Sequence, residues 1–377
     1  MDSKAVITGT GFYHPPFAIT NHELVTSFNQ YVDLFNTQNK DAIENGTKTP
    51  LEYSSAEFIE KASGIKNRYV IDKHGILDIH RMRPYFAQRE DDALCLQAEL
   101  AVNAISPALQ NAYKKNTDID AIILSTSVLQ RAYPNIAIEV QNALSATGFA
   151  FDMSVACSSA TFGLSMANDL INSDQADLVV VVSPEISSAH LDFTLRDAHF
   201  IFGDAATAVI VENKHKVRQK IAWDILSSHR TTEYSNHIRN NFGFINACEL
   251  KNDESLAIKL FTQKGRKVFR DVVPKAFEHI LAHCEKHYLN SHDIKRYWLH
   301  QANRHMNDLI AKKLLNRDPT FEDAPLILDQ YGNTASAGSI IAFHQYRDDL
   351  PIGTHGMICS FGAGYSIGSL LVKKINL

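Results

Sequence analysis

Asp152-Met153-Ser154-Val155-Ala156-Cys157-Ser158-Ser159-Ala160-Thr161-Phe162-Gly163 is an extended segment that stops at small residues and opens a helix. The helical pattern continues from Thr161 to Ile171, and the apolar run Leu178 to Val182 follows it. Strand, helix and strand in that order predict an α/β body whose sheets are covered by helices. The same alternation extends outward. Ala5-Val6-Ile7-Thr8, Ala121-Ile122-Ile123-Leu124 and Ala208-Val209-Ile210-Val211 read as buried strands, and Ala93 to Ile105 as a helix. Later runs are Ile221 to Leu226, Tyr297-Trp298-Leu299 and Met357-Ile358-Cys359.

A weak internal echo crosses this pattern. Tyr113, Asp118 and Ile119 precede the strand at Ala121, and Tyr288, Asp293 and Ile294 precede the strand at Tyr297. Both duplication and chance fit one such match. If the chain is duplicated, the halves are 1–212 and 213–377. The length of 377 residues suits two domains or one large duplicated body. Residues 21–55 are polar and rich in Asn, Thr and Glu, and 72–90 are irregular and charged. Both read as insertions over the core, either inert surface or a lid.

Composition narrows the function. With 45% hydrophobic and 21% charged residues the chain is ordinary globular protein. A net charge of −5 argues against a sequence-independent nucleic-acid binder, though not against local basic patches. Five cysteines, none in Cys-x-x-Cys spacing, make neither a disulfide scaffold nor a zinc ribbon. The start, Met1-Asp2-Ser3-Lys4, does not read as a signal peptide, and no apolar run approaches the ~20 residues of a membrane span. The expected compartment is the reducing cytoplasm.

Four segments can carry chemistry. Cys157 stands where a helix begins, and the helix dipole with its unpaired N–H groups favours thiolate, the nucleophilic form. Cys95, Cys248 and Cys284 lack that context and read as structural. His300 ends an apolar strand in His300-Gln301-Ala302-Asn303, at the sheet edge where α/β sites form. Tyr331-Gly332-Asn333-Thr334-Ala335-Ser336-Ala337-Gly338 offers the Asn333 amide at a tight turn. Ser360-Phe361-Gly362-Ala363-Gly364 can bring a backbone N–H close to a reacting oxygen. Gly203-Asp204-Ala205-Ala206 reads as structural.

Cys, His, Asn and a glycine loop, in that order, resemble the thiolase-fold condensing enzymes, and within them β-ketoacyl-acyl-carrier-protein (ACP) synthase III. The resemblance spans the whole chain. It implies a five-layered αβαβα fold from two duplicated halves, a homodimer, and no metal or redox cofactor. Cys157 falls at the family's nucleophile, His300 and Asn333 at its enolate-stabilising pair, and the N–H groups of Cys157 and Ala363 at its oxyanion hole. The polar N-terminal insertion and Gln130 to Pro134 are similar to a longer subgroup that takes medium-chain acyl-CoA such as octanoyl-CoA and makes β-ketodecanoyl-ACP. Tyr133 falls where family members place an aromatic residue near the partner subunit's acyl pocket.

Arg196 matches an arginine of the family's CoA clamp. Phe58 stands at its stacking tryptophan, and Ala62, beside Lys61, at its second arginine. Arg270, Lys312 and Lys313 match basic positions that dock the acidic carrier protein, and Arg304 neighbours a further one that is His305 here. The rival readings are a thiolase, using Cys359 as a second cysteine; an acyl-thioester hydrolase; an acetyl-CoA-primed initiation synthase; and a non-catalytic acyl-binding protein. Ser336-Ala337-Gly338 gives no thiolase-type histidine.

Overall fold

The first half of the computed structural model begins with β1 (Ala5–Tyr13). A polar cap follows, made of β2 (Phe17–Thr20), α1 (Asn21–Gln38), α2 (Lys40–Glu44), α3 (Ala56–Ser63), β3 (Asn67–Val70) and α4 (Lys73–Leu77). The body then runs α5 (Leu96–Asn111), β4 (Ala121–Ser125), α6 (Ile136–Leu144), β5 (Phe149–Met153), α7 (Ser159–Asn172), β6 (Leu178–Glu185) and β7 (Ala205–Asn213). The second half starts at β8 (Ile221–Ser235), with the short pair β9 (Ile238–Arg239) and β10 (Thr262–Gln263). It continues as α8 (Gly265–Glu285), β11 (Ile294–Leu299), α9 (Arg304–Leu315), α10 (Leu328–Tyr331), α11 (Gly338–Gln345), β12 (His355–Gly362) and β13 (Gly364–Asn376). The structure describes residues 3–243, 245–252 and 254–377; Met1 and Asp2, which head the segment read as no signal peptide, lie outside them.

Nine strands pair in the order β11-β12-β13-β8-β1-β7-β6-β4-β5. The order contains a repeat. β4 runs parallel to β6, β6 antiparallel to β7, and β7 antiparallel to β1; β11, β12, β13 and β8 carry the same signs in the same sequence. The two sets meet at β1 and β8 through only two residue pairs, Val6 with Asp224 and Ile7 with Trp223. Three apolar clusters fill the layers. One packs α7 and α11 between the two sets of strands, one packs α5 and α6 outside the first, and one packs α8 and α9 outside the second. These are the five layers of the αβαβα fold.

Local sequence explains the layering. Every residue of β6 and of β7 is buried, as expected of strands covered on both faces. Helix α7 sits in the middle layer because its residues are small and apolar nearly all round. The Tyr-x4-Asp echo also has a structural basis. Tyr113 and Tyr288 both adopt φ of +56°, and in each case the aspartate accepts from the backbone N–H three residues earlier, Asp118 from Lys115 at 2.8 Å and Asp293 from Asn290 at 2.7 Å. The helix expected at Ala93 to Ile105 begins at Leu96 instead, capped by the Cys95 sulfur on the Ala98 N–H at 3.4 Å, and runs to Asn111.

Histidines tie α8 to the second set of strands. The Ser369 hydroxyl lies 3.0 Å from His279 Nε2 and 2.7 Å from His283 Nδ1, and His229 stacks on His279 at 4.4 Å. Burial, then repulsion from His229, lowers the pKa of His279 and of His283 from 6.5 to about 3. These groups are neutral when folded and bind protons when unfolded between the two values. Their contribution is therefore intact above about pH 6.5 and lost as pH falls toward 3. At pH 5 the loss should be about 2 kcal/mol for each histidine. Urea midpoints at pH 7 and pH 5 check this, and the difference should shrink in H279Q/H283Q.

Candidate active site

β5 ends at Met153, and the chain must then turn sharply into buried α7. Ala156 makes the turn with φ +46°, a strained value for a residue with a side chain. The Ser159 hydroxyl holds it, accepting from the Val155 N–H at 2.8 Å and lying 2.7 Å from the Ala156 carbonyl. Cys157 follows directly, at the floor of a cavity of about 580 Å³. The N–H groups of Cys157 and Ala363, paired as an oxyanion hole in the sequence reading, both reach the thiol. Gly362 keeps the second of them close: a Cβ there would lie 2.6 Å from the Cys157 Cβ.

The expectation of a resting thiolate is corrected. Burial, and then the negative charge of Glu185, push the Cys157 thiol up to about 12. Two backbone N–H groups favour the thiolate but do not outweigh those effects. At rest the Cys157 side chain is therefore a thiol.

His300 and Asn333 line the same cavity. His300 follows the last residue of β11, and its N–H bonds the Cys359 carbonyl at 2.8 Å. Burial lowers its pKa to about 4, partly offset by the nearby Ala335 backbone, so the imidazole is neutral at pH 7. Its neighbours are braces. Gln301 bonds the Leu299 carbonyl at 2.8 Å and the Ile327 N–H at 3.0 Å, while Asn303 caps α9 and bonds the Ala62 carbonyl at 2.8 Å.

Asn333 sits on a second sharp turn, in which Ala335 has φ +47°. Its Oδ1 accepts the Ala335 N–H at 2.9 Å, which turns the amide nitrogen the other way. Cys359 is buried on β12 and does not line the cavity, so it offers no second nucleophile there.

Residues outside the sequence reading form much of the wall. Phe200 and Phe202 precede β7, Ile238 and Phe261 come from the β9–β10 region, and Val268, Phe269 and Val272 from α8. No periodicity marks Phe261; it is placed by its N–H on the His190 carbonyl at 3.0 Å and by edge contact with Phe202. Glu185 was also missed. Its signal is a carboxylate that closes β6 after Ser183 and Pro184, on a strand where every position is buried.

Phe58 lines the cavity mouth, and the Arg196 guanidinium lies 4.2 Å over its ring, held by the Tyr53 carbonyl at 2.7 Å. The Lys61 side chain is exposed; its carbonyl meets His305 Nε2 at 2.8 Å. Arg270 on α8 and Arg304, Lys312 and Lys313 on α9 are all exposed, and the first turns of both helices line the cavity. Arg304 and Lys312 have carboxylate partners, Asp308 at 3.6 Å and Asp318 at 2.7 Å. Tyr133 does not reach this chain's cavity; it is 83% exposed on the loop before α6.

Over residues 151–232 the chain matches the family described as 3-oxoacyl-[acyl-carrier-protein (ACP)] synthase III, and over 284–374 its C-terminal domain. It is 51% identical over 348 residues to the beta-ketodecanoyl-[acyl-carrier-protein] synthase of Pseudomonas aeruginosa, covering 92% of this chain and 99% of that one. It is 30% identical over 285 residues to the beta-ketoacyl-[acyl-carrier-protein] synthase III of Streptococcus uberis, covering 73% and 84%. The structure of 3-oxoacyl-[acyl-carrier-protein] synthase III from Aquifex aeolicus superposes with a TM-score of 0.74 at 26% identity, over 98% of this chain and 99% of that one. A half-buried cysteine at a strained turn, a neutral histidine and an oriented asparagine on one cavity, on this fold and with these relatives, make the chain a member of the β-ketoacyl-ACP synthase III family of acyl-transferring condensing enzymes.

Proposed function

We propose that this enzyme condenses a medium-chain acyl-CoA, octanoyl-CoA, with malonyl-ACP to give β-ketodecanoyl-ACP, CoA and CO2 in fatty-acid biosynthesis. The observation that carries the reading is the meeting of Cys157, His300 and Asn333 on one cavity walled by phenylalanines. The name of the Pseudomonas relative supports the chain length, because a β-ketodecanoyl product from a malonyl donor requires an octanoyl group.

In the first half-reaction the Cys157 sulfur bonds the acyl carbon, the bond from that carbon to CoA sulfur breaks, and the thiol proton leaves with CoA. The N–H groups of Cys157 and Ala363 hold the tetrahedral oxyanion. In the second, the malonyl C–C bond breaks to release CO2 and leaves an enolate. A ring N–H of His300 and the Asn333 amide donate to its oxygen. The enolate carbon then attacks the acyl carbon, and the Cys157 sulfur departs and recovers a proton. This chemistry uses no metal or redox cofactor.

Arg196 and Phe58 receive CoA, with Lys61 beside them. Arg270, Arg304, Lys312 and Lys313 hold the acidic carrier protein where the first turns of α8 and α9 open on the cavity. A homodimer fits the exposed surface: β5 is an edge strand, Phe149 is 42% exposed on it, and Tyr133 projects nearby toward the partner's acyl pocket. Among the described residues no helix is long and apolar enough to cross a membrane, and we place the reaction in the cytoplasm.

Octanoyl-CoA should leave an octanoyl mass on the Cys157 peptide of the wild type and none in C157A; an adduct elsewhere would overturn the assignment. H300A and N333A should still acylate, yet release CO2 from malonyl-ACP about 10²–10³-fold more slowly. Octanoyl-CoA should exceed acetyl-CoA in kcat/KM by about tenfold or more, since each buried methylene contributes ~0.8 kcal/mol. R270E/K313E should raise the KM for malonyl-ACP and leave acylation by octanoyl-CoA unchanged.

A further inference from the structure

Glu185, the last residue of β6, is 1% exposed and has no cation partner among the described residues. Its carboxylate takes donors from both halves of the molecule. Oε1 accepts the Ser127 N–H at 2.9 Å and the Ser336 N–H at 3.3 Å. The Ser336 hydroxyl also donates to Oε1, and the Ser127 hydroxyl to Oε2. Ser127 follows β4, and its carbonyl accepts the Ser154 hydroxyl at 3.0 Å, at the turn that leads to Cys157. Ser336 is the residue after Ala335, whose backbone lies beside the His300 ring and whose N–H orients Asn333.

From this arrangement we propose that Glu185 is a positioning residue of the condensing site, a buried anion that pins the two catalytic turns to each other and sets the charge beside the nucleophile. The inference rests on the roles given above to Cys157, His300 and Asn333. It goes beyond them by assigning a role to a group that touches no substrate. A carboxylate suits the task because it accepts several bonds at once, and N–H and O–H donors from two separate loops converge on it.

Electrostatics supports the geometry. Burial raises Glu185 to about 7 against the pull of its four donors, so its charge appears near neutral pH. Cys157 is the titratable group that faces it; His300 stands on the cavity in neutral form, and Asp197 and Arg266 lie on the same wall with exposed side chains. When Glu185 ionises it opposes thiolate formation, and when it is protonated that opposition ends.

Glu185→Gln separates charge from position. The amide oxygen can keep the bonds from Ser127 and Ser336, and the amide NH2 can donate to the Ser127 hydroxyl, which turns to accept. The test is alkylation of Cys157 by iodoacetamide in the full chain, read from peptide mass between pH 6 and pH 8.5. The E185Q to wild-type rate ratio should be near one at pH 6 and rise to about threefold or more at pH 8, because the thiolate is the reacting form. A ratio that does not vary with pH overturns the electrostatic role.

Ser336→Ala, with the charge intact, tests the pinning of the turn. In the acylated enzyme it should slow CO2 release from malonyl-ACP by about tenfold. Octanoyl transfer to Cys157 should change by less than about twofold. Equal losses in both steps, or none, overturn the positioning role. Alkylation uses no thioester, so its outcome is independent of whether octanoyl-CoA is the donor.

Discussion

Two buried helices that must begin at one place constrain this structure more than any other feature. α7 and α11 lie between the sheets, and each is entered through an alanine with positive φ, Ala156 in the first half and Ala335 in the second. Such a turn costs of order 1–3 kcal/mol and persists only where its surroundings over-determine it. Here the surroundings are hydroxyls, carbonyls and one carboxylate from the opposite half. Repetition of one topology therefore yields two similar turns facing each other, and divergence within them separates the roles. One turn carries the nucleophile Cys157; the other carries Ser336 at the matching position and Asn333 just before it.

The same burial decides the ionisation states. Burial withholds water from the Cys157 thiol and the His300 imidazole on the cavity and from the Glu185 carboxylate behind them, and each moves toward its neutral form. For His300 that outcome is useful, because a neutral ring donates a hydrogen bond to an enolate without first stabilising the malonyl carboxylate as a cation would. A cavity walled by Phe202, Phe261 and Phe269 likewise gives an entering carboxylate little solvation, whereas CO2 leaves it uncharged. For the proposed reaction, electrostatic preference in this site thus runs in the direction of decarboxylation.

Much of this was legible in the sequence where the signal is local. Short apolar runs marked seven strands, four of them rich in β-branched residues, because a strand buried between layers needs such a composition. The Tyr113 and Tyr288 echo marked two matching turns because the aspartate that caps each turn lies within it. Cys157, His300 and Asn333, which the structure brings to one cavity, could be singled out because each stands where a strand ends or a helical stretch opens. What could not be read depends on contacts between distant segments. The high pKa of Cys157 arises first from burial and then from Glu185, 28 positions away and on another strand, whereas its local helix dipole pointed the other way. Helix boundaries shifted for a related reason: the Cys95 sulfur, and no conventional cap, starts α5.

Separation of the wall from the catalytic turns has a further consequence for specificity. Cys157, His300 and Asn333 belong to turns held by the sheets and by Glu185, so their geometry tolerates little change. Phe58 comes from the polar cap, and Ile238 and Phe261 from the short β9–β10 pair, both outside the repeated strand order. Those segments can alter in length or side-chain volume without moving any strand of the nine. Those segments can thus change part of the cavity wall, while the repeat holds the turns that carry Cys157, His300 and Asn333. A phenylalanine at Phe261 shortens or widens the cavity according to how it packs on Phe202, an edge contact at 4.8 Å that no catalytic residue shares. Two enzymes with this repeat can therefore differ in the acyl group they accept and still run the same two half-reactions.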